Sequence, residues 1–168
     1  MGKDLGCLEF VKVGNGELLS NPWTYGILFI DGTATPNRKG CYSALGRSPG
    51  YTGGNGNIAD YGAKSDWQFI SIWEGDICYN TGLVQHETMH ALSFWHEMQR
   101  PDRDQFINFH PENVVDGWVR QFDKLSTTVW IDSGHPFELG SVMMYGSNVR
   151  SPDWKTYTMT LKLGTLIR

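Results

Sequence analysis

Three of the chain's five histidines fall in the run His86-Glu87-Thr88-Met89-His90-Ala91-Leu92-Ser93-Phe94-Trp95-His96. On an α-helix, positions i and i+4 share a face, so His86 and His90 can aim imidazole nitrogens at one point. His96 lies too far along to join them on a straight helix, and reaches the same point only if the chain turns sharply between Leu92 and Trp95. Three neutral imidazoles suit one Zn²⁺ per chain and leave a fourth position open, as catalytic rather than closed structural zinc sites do. Glu87, next to the first histidine, is placed to accept a proton from water as a general base. The bland alternative is a helix that happens to carry histidines. Chance should place all four residues at this spacing in about two of ten thousand chains of this composition.

The elements that must position these residues are legible nearby. Asn80 or Thr81 can cap a helix over about 82–92, with Leu83, Val84 and Ala91 toward the core. Residues 67–73 (W-Q-F-I-S-I-W) predict a strand, which 75–80 turn toward that helix. Residues 25–30 (Y-G-I-L-F-I) predict a buried strand, and 8–13 alternate as a strand before the turn at Gly14-Asn15-Gly16. Residues 31–40 read as a polar loop, and 47–64 as a glycine-rich loop without the strand–turn–helix context of a dinucleotide site. After Ser93, residues 100–104 form a charged turn. A helical start at Pro111 follows, with Val114, Val115, Trp118, Val119 and Phe122 at helical spacing and Gly117 interrupting. That spacing predicts core rather than ligand contact. His110 and His135 have no metal-ligating partner at useful spacing.

At 168 residues the chain fits one domain with a sizeable core, and 40% apolar content is a globular composition. The net charge of −4, without a Lys/Arg block, argues against nucleic acid or an anionic membrane as partner. No apolar run approaches the length of a transmembrane segment. Twenty glycines suit an irregular, loop-rich fold. Three cysteines are an odd count, which implies a free thiol or a missing partner.

The string H-E-T-M-H-A-L-S-F-W-H-E-M-Q-R-P-D-R-D, residues 86–104, resembles the astacin family of secreted zinc endopeptidases in the metzincin clan. Ser141-Val142-Met143-Met144-Tyr145 resembles that family's Met-turn. The resemblance implies an α+β, metzincin-like fold: a twisted, mostly parallel sheet with the active-site helix over a cleft, and an irregular C-terminal lobe. It implies one catalytic domain over 1–168, with an upper lobe to about residue 93 and a lower lobe over 94–168. It implies zinc held by His86, His90 and His96, with Glu87 and Tyr145 catalytic and Met143 packed beneath the ligands.

The resemblance further makes Cys41, Tyr42, Ser43, Ala44 and Leu45 the edge strand that receives a peptide or protein substrate. It pairs Cys41 with Cys78 and leaves Cys7 without its family partner, which would lie beyond Arg168. The family's signal, pro-segment, first strand and first long helix would lie upstream of Leu5, so the chain reads as incomplete at both ends. It also implies that residues 100–104 brace the turn after His96, and that Glu97 receives the mature N-terminus. Two positions depart from the family pattern: Ser93 stands where glycine is usual, and Met144 where histidine is common. If residue 93 needs a positive φ, serine costs about 1–2 kcal/mol there. A catalytically inactive binding module, a fragment, and a cytosolic protein with three reduced thiols are the alternative readings.

Overall fold

A computed structural model of the chain describes residues 26–31, 40–46, 68–73, 77–132 and 134–162. Cys7, the strand expected over 8–13, the turn at 14–16 and the glycine-rich loop over 47–64 lie outside the described residues. The chain divides into two compact units, residues 1–92 and 93–168.

In the first unit, three strands make a mixed sheet in the order β1-β3-β2: β1 is Ile27–Asp31, β2 Tyr42–Ser43 and β3 Gln68–Ile72. β1 runs parallel to β3, pairing Ile27 with Gln68, while β2 runs antiparallel to it, pairing Ser43 with Ile70. β3 is central, and Gln68, Phe69, Ile70 and Ser71 are all buried, which accounts for its near-continuous β-branched and aromatic character. β1 is less buried than its apolar sequence predicts. Ile30 is in the core, but Phe29 is 53% exposed, because alternate residues of a strand face opposite sides.

Helix α1 spans Thr81–Ala91. It starts where Asn80, in an extended conformation, accepts a hydrogen bond from the Gly82 amide at 2.8 Å, a cap worth about 1 kcal/mol. Its C-terminal end is fastened to the sheet by the buried Gln68 side chain, whose Nε2 donates to Ala91 O at 3.0 Å. The Gly46 amide donates to His90 O at 2.7 Å, tying the segment after β2 to the same turn of helix. Cys41 and Cys78 form a disulfide between the approach to β2 and the turn before α1, with Cα atoms 5.5 Å apart. Cys78 is fully buried, and closing a loop with a sequence separation of 37 is worth about 4 kcal/mol in the chain-entropy picture.

The second unit is built from short turns around a small core of Met98, Ile107, Val114, Phe122 and Met159. Strands β4 (Ile107–Phe109) and β5 (Met159–Leu161) pair antiparallel, with Phe109 opposite Met159. The helix expected from Pro111 is absent. Pro111–Asn113 and Val119–Phe122 are separate 3₁₀ turns, with Gly117 at φ +83° between them. The Val115 amide donates to Arg150 O at 2.9 Å instead of to an i−4 carbonyl, so a tertiary bond replaces the helical one. Of the five apolar residues at helical spacing, only Val114 and Phe122 are buried; Val115, Trp118 and Val119 are exposed. Trp118 instead carries the Arg150 guanidinium on its ring face at 3.6 Å.

The charged turn packs inward. Arg100 and Arg103 are both buried. Arg103 Nη1 donates to Met98 O at 3.0 Å and to Phe122 O, and its guanidinium lies over the Phe109 ring at 4.9 Å. Arg100 donates to Asp102 through Nε and Nη2, to Glu97 at 3.2 Å, and to the carbonyls of His135 and Pro136.

Candidate metal centre

His86 and His90 stand one turn apart on α1, half-buried, with ring centroids 4.6 Å apart and planes nearly perpendicular. That is the geometry expected of i and i+4 side chains leaning on one face. The helix stops at Leu92, whose amide bonds back to Thr88 O, Met89 O and His90 O. Ser93 then takes φ +78°, the left-handed conformation that glycine adopts without strain, and the chain turns there toward His96. Across the stretch 86–96, each histidine offers one ring nitrogen within 4.8 Å of the other two, a donor set whose number and chemistry fit a zinc ion.

Glu87 sits on the same helix between the two histidines and is buried. Loss of hydration pushes its carboxyl up to about 7, against the opposing hydrogen bond from the Ser43 backbone amide. Ser43 belongs to β2, an edge strand of the described sheet, so this edge and the carboxylate are joined directly. Along that segment Ala44 is buried, and Cys41, Tyr42, Ser43 and Leu45 are half-buried.

In the second unit, His96 precedes the 3₁₀ turn Glu97–Gln99. Its Nδ1 lies 3.2 Å from Oε1 of the buried Gln99; in the tautomer that donates there, Nε2 keeps its lone pair for a metal. Met143 is buried in a tight turn in which its amide donates to Ser141 Oγ at 3.1 Å and the Met144 amide to Ser141 O. Met143 O accepts from the Glu97 amide at 2.9 Å, so the Met-turn holds the backbone directly after His96. The Tyr145 ring lies 4.6 Å from that of His96, and its hydroxyl donates to Gln121 Oε1 at 3.3 Å. Glu97 accepts from Arg100 Nη1 and from the Glu138 amide at 2.8 Å. Gln99 and Gln121 were invisible as site residues in the sequence. A metal-site reading offers a reason to look at a residue three after a ligand, but nothing local points from Tyr145 to a residue 24 positions earlier.

His110 is occupied elsewhere, with Nε2 3.1 Å from Thr160 Oγ1. Among the described residues, no other group of three metal-binding side chains is close enough to share an ion.

An α+β unit that presents two histidines and a buried carboxylate on one helix, with a third histidine just past its end, defines the zinc-dependent metallopeptidase class. The match is to one family in particular: the model of the astacin peptidase family covers residues 26–165, and the chain belongs to that family. Zinc metalloproteinase nas-30 of Caenorhabditis elegans is 41% identical over 124 residues, covering 74% of this chain and 14% of the nematode protein. Zinc metalloproteinase dpy-31 of Haemonchus contortus is 32% identical over 154 residues, covering 92% of the chain and 23% of that protein. The chain therefore spans less than a quarter of the length of these two relatives. Among solved structures, high choriolytic enzyme 1, a hatching-enzyme zinc protease of the medaka Oryzias latipes, superposes with a TM-score of 0.63 at 25% identity. That superposition covers 88% of this chain and 66% of the fish enzyme. The family's metalloproteinases are zinc-dependent, and the three histidines are the donors available here.

Proposed function

We propose that this chain is a catalytic domain of the astacin type that hydrolyses peptide bonds in peptide or protein substrates. His86, His90 and His96 hold the zinc. When bound, the metal supplies a Lewis acid that polarises the scissile carbonyl and lowers the pKa of an attacking water. Glu87 accepts that water's proton at a carboxylate oxygen and returns it to the leaving amine nitrogen. Tyr145 donates its hydroxyl to the oxyanion that develops on the substrate. Met143, buried in the turn whose carbonyl holds the backbone after His96, gives that ligand an apolar support. The substrate lies extended along the 41–45 edge, where main-chain hydrogen bonds supply affinity without sequence choice. The Cys41–Cys78 disulfide supports an extracellular, secreted setting.

The observation that carries this reading is Glu87: a buried carboxylate on the histidine-bearing helix, held by an amide of the edge strand. A binding module has no chemical need for a buried acid there. Glu87→Gln preserves shape but cannot accept a proton. It should retain zinc and lose peptide hydrolysis about 10²–10⁴-fold. Cleavage by the variant at the wild-type rate refutes the mechanism. A folded, zinc-loaded and correctly bridged wild type that cleaves no unstructured peptide leaves a binding module or an inactive fragment.

A further inference from the structure

Gln121 belongs to the turn Val119–Phe122, and that turn is well anchored. The next residue, Phe122, is fully buried in the core and stacks on Phe109 with centroids 4.8 Å apart. The Gln121 amide donates to Trp118 O at 3.0 Å, and Phe122 O accepts from Arg103. The backbone on both sides of Gln121 is therefore fixed, while its side chain is exposed. Tyr145 packs edge-on against the same Phe122 ring at 5.8 Å and lies 4.6 Å from the His96 ring. The phenol thus packs against both a core aromatic and a metal-ligand candidate, and the Gln121 amide oxygen accepts its hydroxyl.

We propose that Gln121 is a positioning residue that parks the Tyr145 hydroxyl beside His96 and so limits how often that oxygen sits on the metal in the resting protein. This rests on the reading of Tyr145 as the oxyanion donor and on the resemblance to the astacin family, which implies that its oxygen can also reach the metal at rest. The amide oxygen can only accept, so it holds the phenol with its proton in place, in the form able to donate to a developing oxyanion. Removing the acceptor leaves the ring packing intact and removes one hydrogen bond from the parked state alone. The balance between parked and metal-bound hydroxyl then shifts toward the metal by roughly two- to tenfold.

The test uses the Cu²⁺-substituted chain, in which a phenolate bound to copper gives a visible charge-transfer absorption. Wild type, Gln121→Ala, Gln121→Glu and Tyr145→Phe are compared at one pH, with far-UV circular dichroism and copper content matched. Gln121→Ala should strengthen the band severalfold. Gln121→Glu, which keeps an acceptor, should stay at or below the wild-type intensity. Tyr145→Phe should abolish the band. A band that Tyr145→Phe removes but Gln121→Ala leaves unchanged overturns the role of Gln121 and leaves the reading of Tyr145 standing. A band that survives Tyr145→Phe, or is missing from both wild type and Gln121→Ala, overturns both.

Discussion

Loss of the Arg103 side chain should destabilise the second unit. Arg103 is only 6% exposed, and its guanidinium caps two carbonyls, those of Met98 and Phe122, whose side chains are both fully buried. These carbonyls flank the backbone after His96 and the turn that carries Gln121. Hydrogen bonds to a charged donor contribute about 1.5–3 kcal/mol each. The contact with Asp104 at 3.1 Å adds little, since that carboxylate is half exposed. Methionine in its place keeps most of the apolar stem but leaves both carbonyls without their donor. Some rehydration recovers part of the loss, which places the expected destabilisation at about 3 kcal/mol. With a urea m-value of about 2 kcal/mol/M, the unfolding midpoint of Arg103→Met should fall by about 1.5 M. Arg103→Lys keeps the charge and enough donors for both carbonyls, which Arg103 reaches through Nη1 alone, but loses the planar guanidinium over the Phe109 ring, so it should recover part of this. Urea titration followed by tryptophan fluorescence measures all three proteins. A loss below about 1 kcal/mol for the methionine variant would show that the bridge is not what holds these carbonyls.

Other consequences can be checked in the same way. Ser93→Gly should stabilise the protein by about 0.5–1 kcal/mol, the relief of a left-handed serine less the extra entropy of an unfolded glycine; a loss of stability in thermal unfolding would mean that the serine side chain contributes more than its strain costs. Asp102 is held below the usual carboxylate range, chiefly by its hydrogen bond from Arg100, with burial opposing. Its folded pKa is depressed, so its contribution is present above about pH 4 and lost as pH falls through the folded value. Asp102→Asn should therefore flatten the acid limb of a midpoint-against-pH plot, and an unchanged slope between about pH 2 and 5 refutes the assignment. Elemental analysis of the folded chain should give about one zinc. His86→Ala, His90→Ala and His96→Ala should each lower it sharply, and unchanged zinc in all three sinks the ligand set.

What the sequence by itself determined is what depends on residues within about one turn of each other. The helix over Thr81–Ala91 follows from its Asn80 cap, though of Leu83, Val84 and Ala91 only Ala91 is buried, and the facing of His86 and His90 follows from the helical period. The turn after Leu92 was required by the position of His96, and Ser93 makes it at positive φ. The central strand Gln68–Ile72 was readable from Phe69, Ile70 and Ile72 within the aromatic-flanked run 67–73. Past Ser93 the local signals misled. Val114 to Phe122 has helical spacing, yet a bond from Val115 to Arg150 O and the left-handed Gly117 divide it into two turns, with only two of the five apolar residues buried. Tertiary structure alone decided that Arg103 would be buried across two carbonyls, that Met159 would pair with Phe109, and that the Tyr145 hydroxyl would meet Gln121. Each of these joins residues that the chain brings together only after its core has formed. A periodicity confined to neighbouring residues carries no information about such partners.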